Sequence, residues 1–253
     1  TKDGKAEIYL VSLYGQRARS EVFAWDGQFR KLADQDGHLN VVKNSSIGKR
    51  FLLYQGTNLG SFFAGDIHFM AFDPGNKLTR EEPLPVEEAQ IYTLAVADLN
   101  HDGHVEFLGL DAGDSLNVWS TSGKSFYEGQ KTLGGSNNVV EVGDVTGQGE
   151  LAPRVEINGR IIVADVDRDG TDEVIAARNI ANFDMLDRLK LYRTSRLIAY
   201  RTEGLNLEQA WATREIRYVT ADLQKEGLTI YLAGQKGQYS KMSAGSSRIM
   251  WFE

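Results

Sequence analysis

A short apolar strand that ends in one aromatic residue recurs along this chain, and its spacing limits the fold more than any other feature. It appears as Val22-Phe23-Ala24-Trp25, His68-Phe69-Met70-Ala71-Phe72 and Leu116-Asn117-Val118-Trp119, then as Arg196-Leu197-Ile198-Ala199-Tyr200 and Arg248-Ile249-Met250-Trp251. The closing aromatics at 25, 72, 119, 200 and 251 lie 47, 47, 81 and 51 residues apart. Three gaps are close to one value, and the longer one carries an insertion, Ser136–Gly159. Self-similarity at such a period marks repeated supersecondary units.

A second phrase precedes the first in the later units. It reads Val96-Ala97-Asp98-Leu99-Asn100-His101-Asp102-Gly103-His104-Val105-Glu106-Phe107-Leu108 and returns as Val163-Ala164-Asp165-Val166-Asp167-Arg168-Asp169-Gly170-Thr171-Asp172-Glu173-Val174-Ile175. Weaker echoes begin at Val142 and Thr220, and the chain opens inside a further copy, Asp3–Leu10. Each unit reads as four strands; in the third these are Thr93–Ala97, Glu106–Leu110, Leu116–Trp119 and Phe126–Thr132. Helical periodicity is poor, and the best candidate, Leu205–Trp211, reads equally as a strand. Four antiparallel strands per repeat fit a propeller blade, whereas a sandwich of unlike strands has no reason to repeat. The expected fold is an all-β β-propeller of four-stranded antiparallel blades. About five blades are represented, over units 1–37, 38–91, 92–160, 161–215 and 216–253. The first lacks its opening strand and the last stops after its third, so both are incomplete.

Composition narrows the function. A length of 253 residues with 42% hydrophobic and 25% charged side chains is ample for a globular core. The net charge of −7 argues against a broad grip on nucleic acid or anionic lipid. No cysteine is present, which excludes disulfides, thiolate catalysis and Cys-ligated metal. No apolar run reaches the roughly 18 residues of a membrane helix, so direct membrane insertion is not expected. The polar opening Thr1-Lys2-Asp3-Gly4 reads as the middle of a loop, with any targeting segment upstream.

The acidic turns carry the clearest chemistry. Side chains at alternate positions of a tight turn can aim oxygens at one point. A glycine supplies the sharp backbone turn, the residue after it offers a carbonyl, and a glutamate closes the shell. The first full loop supplies Asp98, Asn100, Asp102, the carbonyl of His104 and Glu106. The second supplies Asp165, Asp167, Asp169, the carbonyl of Thr171 and Glu173. All-oxygen, carboxylate-rich sets suit Ca²⁺. An EF-hand is excluded because its twelfth loop position, a glutamate, is here Gly109 or Ala176, and strand-type runs flank both loops. A possible third site comprises Thr1, Asp3 and Glu7. The Asp144 and Asp222 turns lack most of the carboxylates.

The pattern D-x-[DN]-x-D-G-x-x-E between two strands resembles the FG-GAP or VCBS repeat of integrin α-chain propellers and exported bacterial proteins. That resemblance implies a Ca²⁺-stabilised, non-catalytic propeller module, in an extracellular, periplasmic or cell-surface setting, that binds a protein or glycan ligand through loops on one face. The alternative is a lectin or carbohydrate-active enzyme on the same scaffold. An intracellular scaffold of WD-repeat type is disfavoured, because weak calcium loops fill poorly in resting cytosol.

No P-loop, dinucleotide fingerprint or G-x-S-x-G elbow occurs, and none of His38, His68, His101 and His104 stands at metal-ligand spacing from another. The five repeated aromatics are expected to pack between blades rather than form a sugar-stacking ring. The basic stretch Arg188, Lys190, Arg193, Arg196 and Arg201 is expected to be a solvated strand face. Asn44-Ser45-Ser46 is a glycosylation sequon.

Overall fold

The computed structural model describes residues 6–14, 17–73, 75, 77–142, 154–181, 191–204, 206–227, 229–236 and 245–252. They form a five-blade β-propeller in which every pairing between strands of a sheet is antiparallel. Blade 1 holds β1 (Glu7–Tyr14), β2 (Arg17–Trp25) and β3 (Phe29–Asp36). Blade 2 holds β4 (His38–Lys43), β5 (Arg50–Gly56), β6 (Ala64–Phe72) and β7 (Leu78–Pro83). Blade 3 holds β8 (Ala95–Ala97), β9 (Glu106–Leu110), β10 (Ser115–Trp119) and β11 (Ser125–Thr132). Within the insertion, β12 (Val139–Glu141) pairs antiparallel with β13 (Arg154–Glu156) as a separate two-stranded sheet. Blade 4 holds β14 (Ile162–Ala164), β15 (Glu173–Ala181), β16 (Tyr192–Glu203) and β17 (Asn206–Ala212). Blade 5 holds β18 (Val219–Glu226), β19 (Thr229–Lys236) and β20 (Ser246–Phe252).

The strands follow the expected boundaries closely. β8 starts two residues later than Thr93, because the Thr93 amide turns back to the Gln90 carbonyl while its hydroxyl accepts the Leu110 amide at 2.9 Å. Of the segment Leu205–Trp211, Leu205 lies outside the described residues and the rest is strand, within β17.

Blade order explains which strands alternate. β9 lies between two neighbouring blades and is buried at all five positions, Glu106–Leu110. β2 instead alternates buried Ala18, Ser20, Val22 and Ala24 with more exposed residues, because only one of its faces meets blade 2. Leu99, Leu108 and Val118 of blade 3 pack on Val163, Val174 and Ile198 of blade 4. Burying each such side chain contributes about 1.5–3 kcal/mol.

The repeated aromatics divide accordingly. Trp119 and Tyr200 are buried between middle blades, and Phe72 packs partly against the blade 1 to blade 2 core. Trp25 and Trp251 are not core residues as expected: they are 47% and 63% exposed. Each lies in a terminal blade, on the sheet face turned away from the neighbouring blade.

The first strands of successive blades line the axis. The Ser45 amide, just after β4, donates to the Val96 carbonyl of β8 at 3.0 Å, and β8, β14 and β18 follow in turn.

Candidate metal centres in the acidic loops

The two acidic loops join the first and second strands of blades 3 and 4, at one end of the propeller. Their hydrogen-bond frames coincide residue for residue. Asp98 accepts the Asp102 and Gly103 amides at 3.1 and 3.0 Å; Asp165 accepts the Asp169 and Gly170 amides at 3.2 and 3.0 Å. The third acid binds the amide two residues on: His104 to Asp102 at 2.8 Å, Thr171 to Asp169 at 2.9 Å. The glutamate reaches back across the loop to the Leu99 amide at 2.9 Å or the Val166 amide at 3.0 Å.

The backbone carries the strain this geometry needs. His101 and Arg168, at the same loop position, hold φ of 58° and 63°, and Gly103 and Gly170 follow at 86° and 91°. Few residues other than glycine adopt that left-handed region.

The fourth blade brings its acids together most closely. Oxygens of Asp165, Asp167 and Glu173 lie within 4.8 Å of one another, a span suited to a shared cation. Glu173 is fully buried, and its Oε1 accepts no hydrogen bond. Its nearest positive group is Arg201, whose Nη2 stands 3.6 Å from that oxygen, 2.8 Å from Asp167 and 3.0 Å from Asp169. Burial is the main influence raising the Glu173 carboxyl above the ordinary glutamate range.

The first loop is looser. Asn100 stands where Asp167 does, and its amide donates to Asp102 at 2.9 Å. Burial again raises Glu106, while the His104 amide is the main influence lowering Asp102. The loop is tied to blade 2, where the Ser46 hydroxyl accepts the Asp98 amide at 2.8 Å.

Of the possible third site, Thr1 and Asp3 lie outside the described residues. Glu7 opens β1 and accepts the Tyr9 hydroxyl at 2.8 Å. The Asp144 turn also lies outside them. Asp222 sits within β18, where it is paired with Arg160.

Arg201 is the residue beside the acidic loop that the sequence concealed. It reads as part of a basic stretch, yet it lies directly opposite Glu173 in the β15–β16 ladder. Arg193 and Arg196 of that stretch are exposed on β16, whereas Arg188 and Lys190 lie outside the described residues. The sequon does not present its nitrogen: Asn44 is 1% exposed, and its Oδ1 accepts the Ser46 and Ile47 amides at 2.9 and 3.1 Å.

At the opposite end of the blades lies a cleft of about 830 Å³. Phe62 and Phe63 of the β5–β6 loop, Asp114 of the β9–β10 turn, and Arg154 and Glu156 of β13 contribute to its walls. The β5–β6 loop is anchored by His38, fully buried, whose Nε2 donates to the Phe62 carbonyl at 2.7 Å. Its Nδ1 then accepts the Tyr92 hydroxyl at 3.0 Å. Desolvation lowers the His38 pKa to about 4, so the ring is neutral. No family model matches the chain, and no curated protein matches it.

Proposed function

We propose that this chain is a Ca²⁺-stabilised, non-catalytic propeller module that binds a protein or glycan ligand in an exported or cell-surface protein. The buried, hydrogen-bond-free Oε1 of Glu173 beside Asp165 and Asp167 is the observation that supports the metal. A carboxylate oxygen withdrawn from water without a donor is costly, and a divalent cation offsets that cost. Asp165, Asp167, Asp169 and Glu173 would hold one ion, and Asp98, Asn100, Asp102 and Glu106 a second. The ions are structural: each ties the first strand of a blade to its second. The loop spacing and its place between strands support kinship with FG-GAP or VCBS repeats. The cleft at the opposite end is the ligand face this reading favours, since it combines aromatic and charged groups and lies clear of the acidic loops.

Thermal unfolding with EDTA, followed by return of Ca²⁺ or Mg²⁺, tests the metal. A ligand bound only by the folded state adds about 2.7 kcal/mol at a hundredfold excess over its Kd. The midpoint is expected to fall with EDTA and recover with Ca²⁺ but not Mg²⁺. An unchanged midpoint after verified chelation would reduce the loops to ordinary turns. A glycan and protein-ligand screen tests the binding role, where retention without turnover is expected and cleavage would indicate an enzyme.

A further inference from the structure

The first strands of blades 2 to 5 converge on a cavity of about 330 Å³ at the propeller axis. Its walls include apolar Val42, Ala95 and Ile162, yet four lining residues are cationic: Lys43, Arg50, Arg160 and Lys225. Among the described residues, no carboxylate lines it. One acid lies alongside. Arg160 pairs with Asp222 through Nε and Nη2, and its Nη1 donates to Gln224 at 2.7 Å. Lys43, Arg50 and Lys225 form no ion pair among the described residues.

This is an unusual concentration of charge in a protein of net charge −7. Lys43 and Arg50 are direct cross-strand partners on β4 and β5. Like charges in that position repel, and because Lys43 and Arg50 are both exposed, water and salt screen part of that repulsion. The Asn44–Lys49 turn between them is blade 2's counterpart of the acidic loops, and it contains no acid. The fold therefore places three unneutralised cations, and a guanidinium already oriented by Asp222 and Gln224, around one small space.

We propose that the axial cavity binds a small polyvalent oxyanion, a sulfate or phosphate group, either free or as the terminal ester of a larger ligand. Lys43, Arg50 and Lys225 supply the charge, and Arg160 supplies directed N–H donors. The cavity has room for such a group and a few waters, at roughly 30 Å³ per water. An extended polyanion would meet the unfavourable field of the whole protein, whereas a small anion meets only the local one. This site uses none of the acidic-loop side chains, although Ser45 and Val96, which line it, adjoin the Asp98 loop.

Calorimetric titration of the Ca²⁺-loaded protein with inorganic sulfate, at ionic strength held constant with chloride, tests the proposal. A sulfated monosaccharide and its unsulfated parent form the second arm. Saturable heat with sulfate is expected. Tighter binding of the sulfated sugar would identify an ester-bearing ligand; equal or weaker binding would identify the free ion. The Lys43→Gln/Lys225→Gln variant is expected to bind about tenfold more weakly or worse. Its melting midpoint in chloride should be unchanged or higher, because repulsion is relieved. Should that variant fail to fold, Lys225→Gln alone provides the comparison. Absence of saturable heat with the unaltered protein, or equal affinity in the variants, would overturn the proposal.

Discussion

Glu173 and Arg201 face each other across the β15–β16 ladder, and the guanidinium of Arg201 reaches over the acidic loop to Asp167 and Asp169 as well. One arginine thus offsets the repulsion of three carboxylates in blade 4, while the first loop softens its own repulsion with Asn100 in place of an aspartate. Both loops keep the same backbone frame by different electrostatic means.

A cation bound at the second loop would compete with Arg201 for the same oxygens. Replacing Arg201 by Gln is expected to tighten Ca²⁺ at the second loop about fivefold and to lower the melting midpoint in EDTA. Calorimetry with and without chelator measures both effects. Weaker Ca²⁺ binding in Arg201→Gln would show that the guanidinium assists the site instead.

Asp98 and Asp165 each accept two backbone amides, so their truncation damages the loop even without metal. Asp165→Ala is expected to cost about 1.5–3 kcal/mol in EDTA, the value of hydrogen bonds to a charged group. Asp165→Asn retains an acceptor. It should melt closer to the unaltered protein in EDTA and well below it in Ca²⁺.

His38 makes stability pH-dependent. Its pKa is about 4 in the folded protein against an ordinary 6.5, so the unfolded chain takes up the proton first. The stability it contributes is present above pH 6.5 and is lost as pH falls from 6.5 through 4. Its full extent is about 3 kcal/mol. Chemical denaturation of the unaltered protein and of His38→Gln across that range should show the steeper loss only where His38 is present. Parallel curves would show that His38 does not govern the loss.

The tryptophans should differ sharply. Trp119→Ala removes a buried side chain between blades 2 and 3 and is expected to cost about 3–5 kcal/mol. Trp25 rests mainly on Phe29, with ring centroids 4.7 Å apart on an open sheet face, and Trp25→Ala should cost roughly 1 kcal/mol or less. Denaturant unfolding distinguishes them, and acrylamide should quench Trp25 and Trp251 far more than Trp119.

The repeat period, the strands of blade 3 and the two acidic loops were legible in the amino-acid sequence because each is a local property. Alternation, turn glycines and ligand spacing act within a dozen residues, and neighbouring units repeat them. What the sequence could not show depends on which blade faces which. Trp25, Trp119 and Trp251 end similar strands, yet of their three blades only blade 3 has a neighbour on both sides, so of the three only Trp119 is buried. Arg201 looks like a member of a basic stretch until strand pairing sets it against Glu173. His38 carries no motif, and its neutral state follows from burial beside Phe62 and Tyr92, distant in sequence. The convergence of Lys43 of β4, Arg50 of β5, Arg160 just before β14 and Lys225 of β18 likewise required blades 2, 4 and 5 to meet around one axis. Local pattern determined the blades, and long-range packing decided how their side chains met.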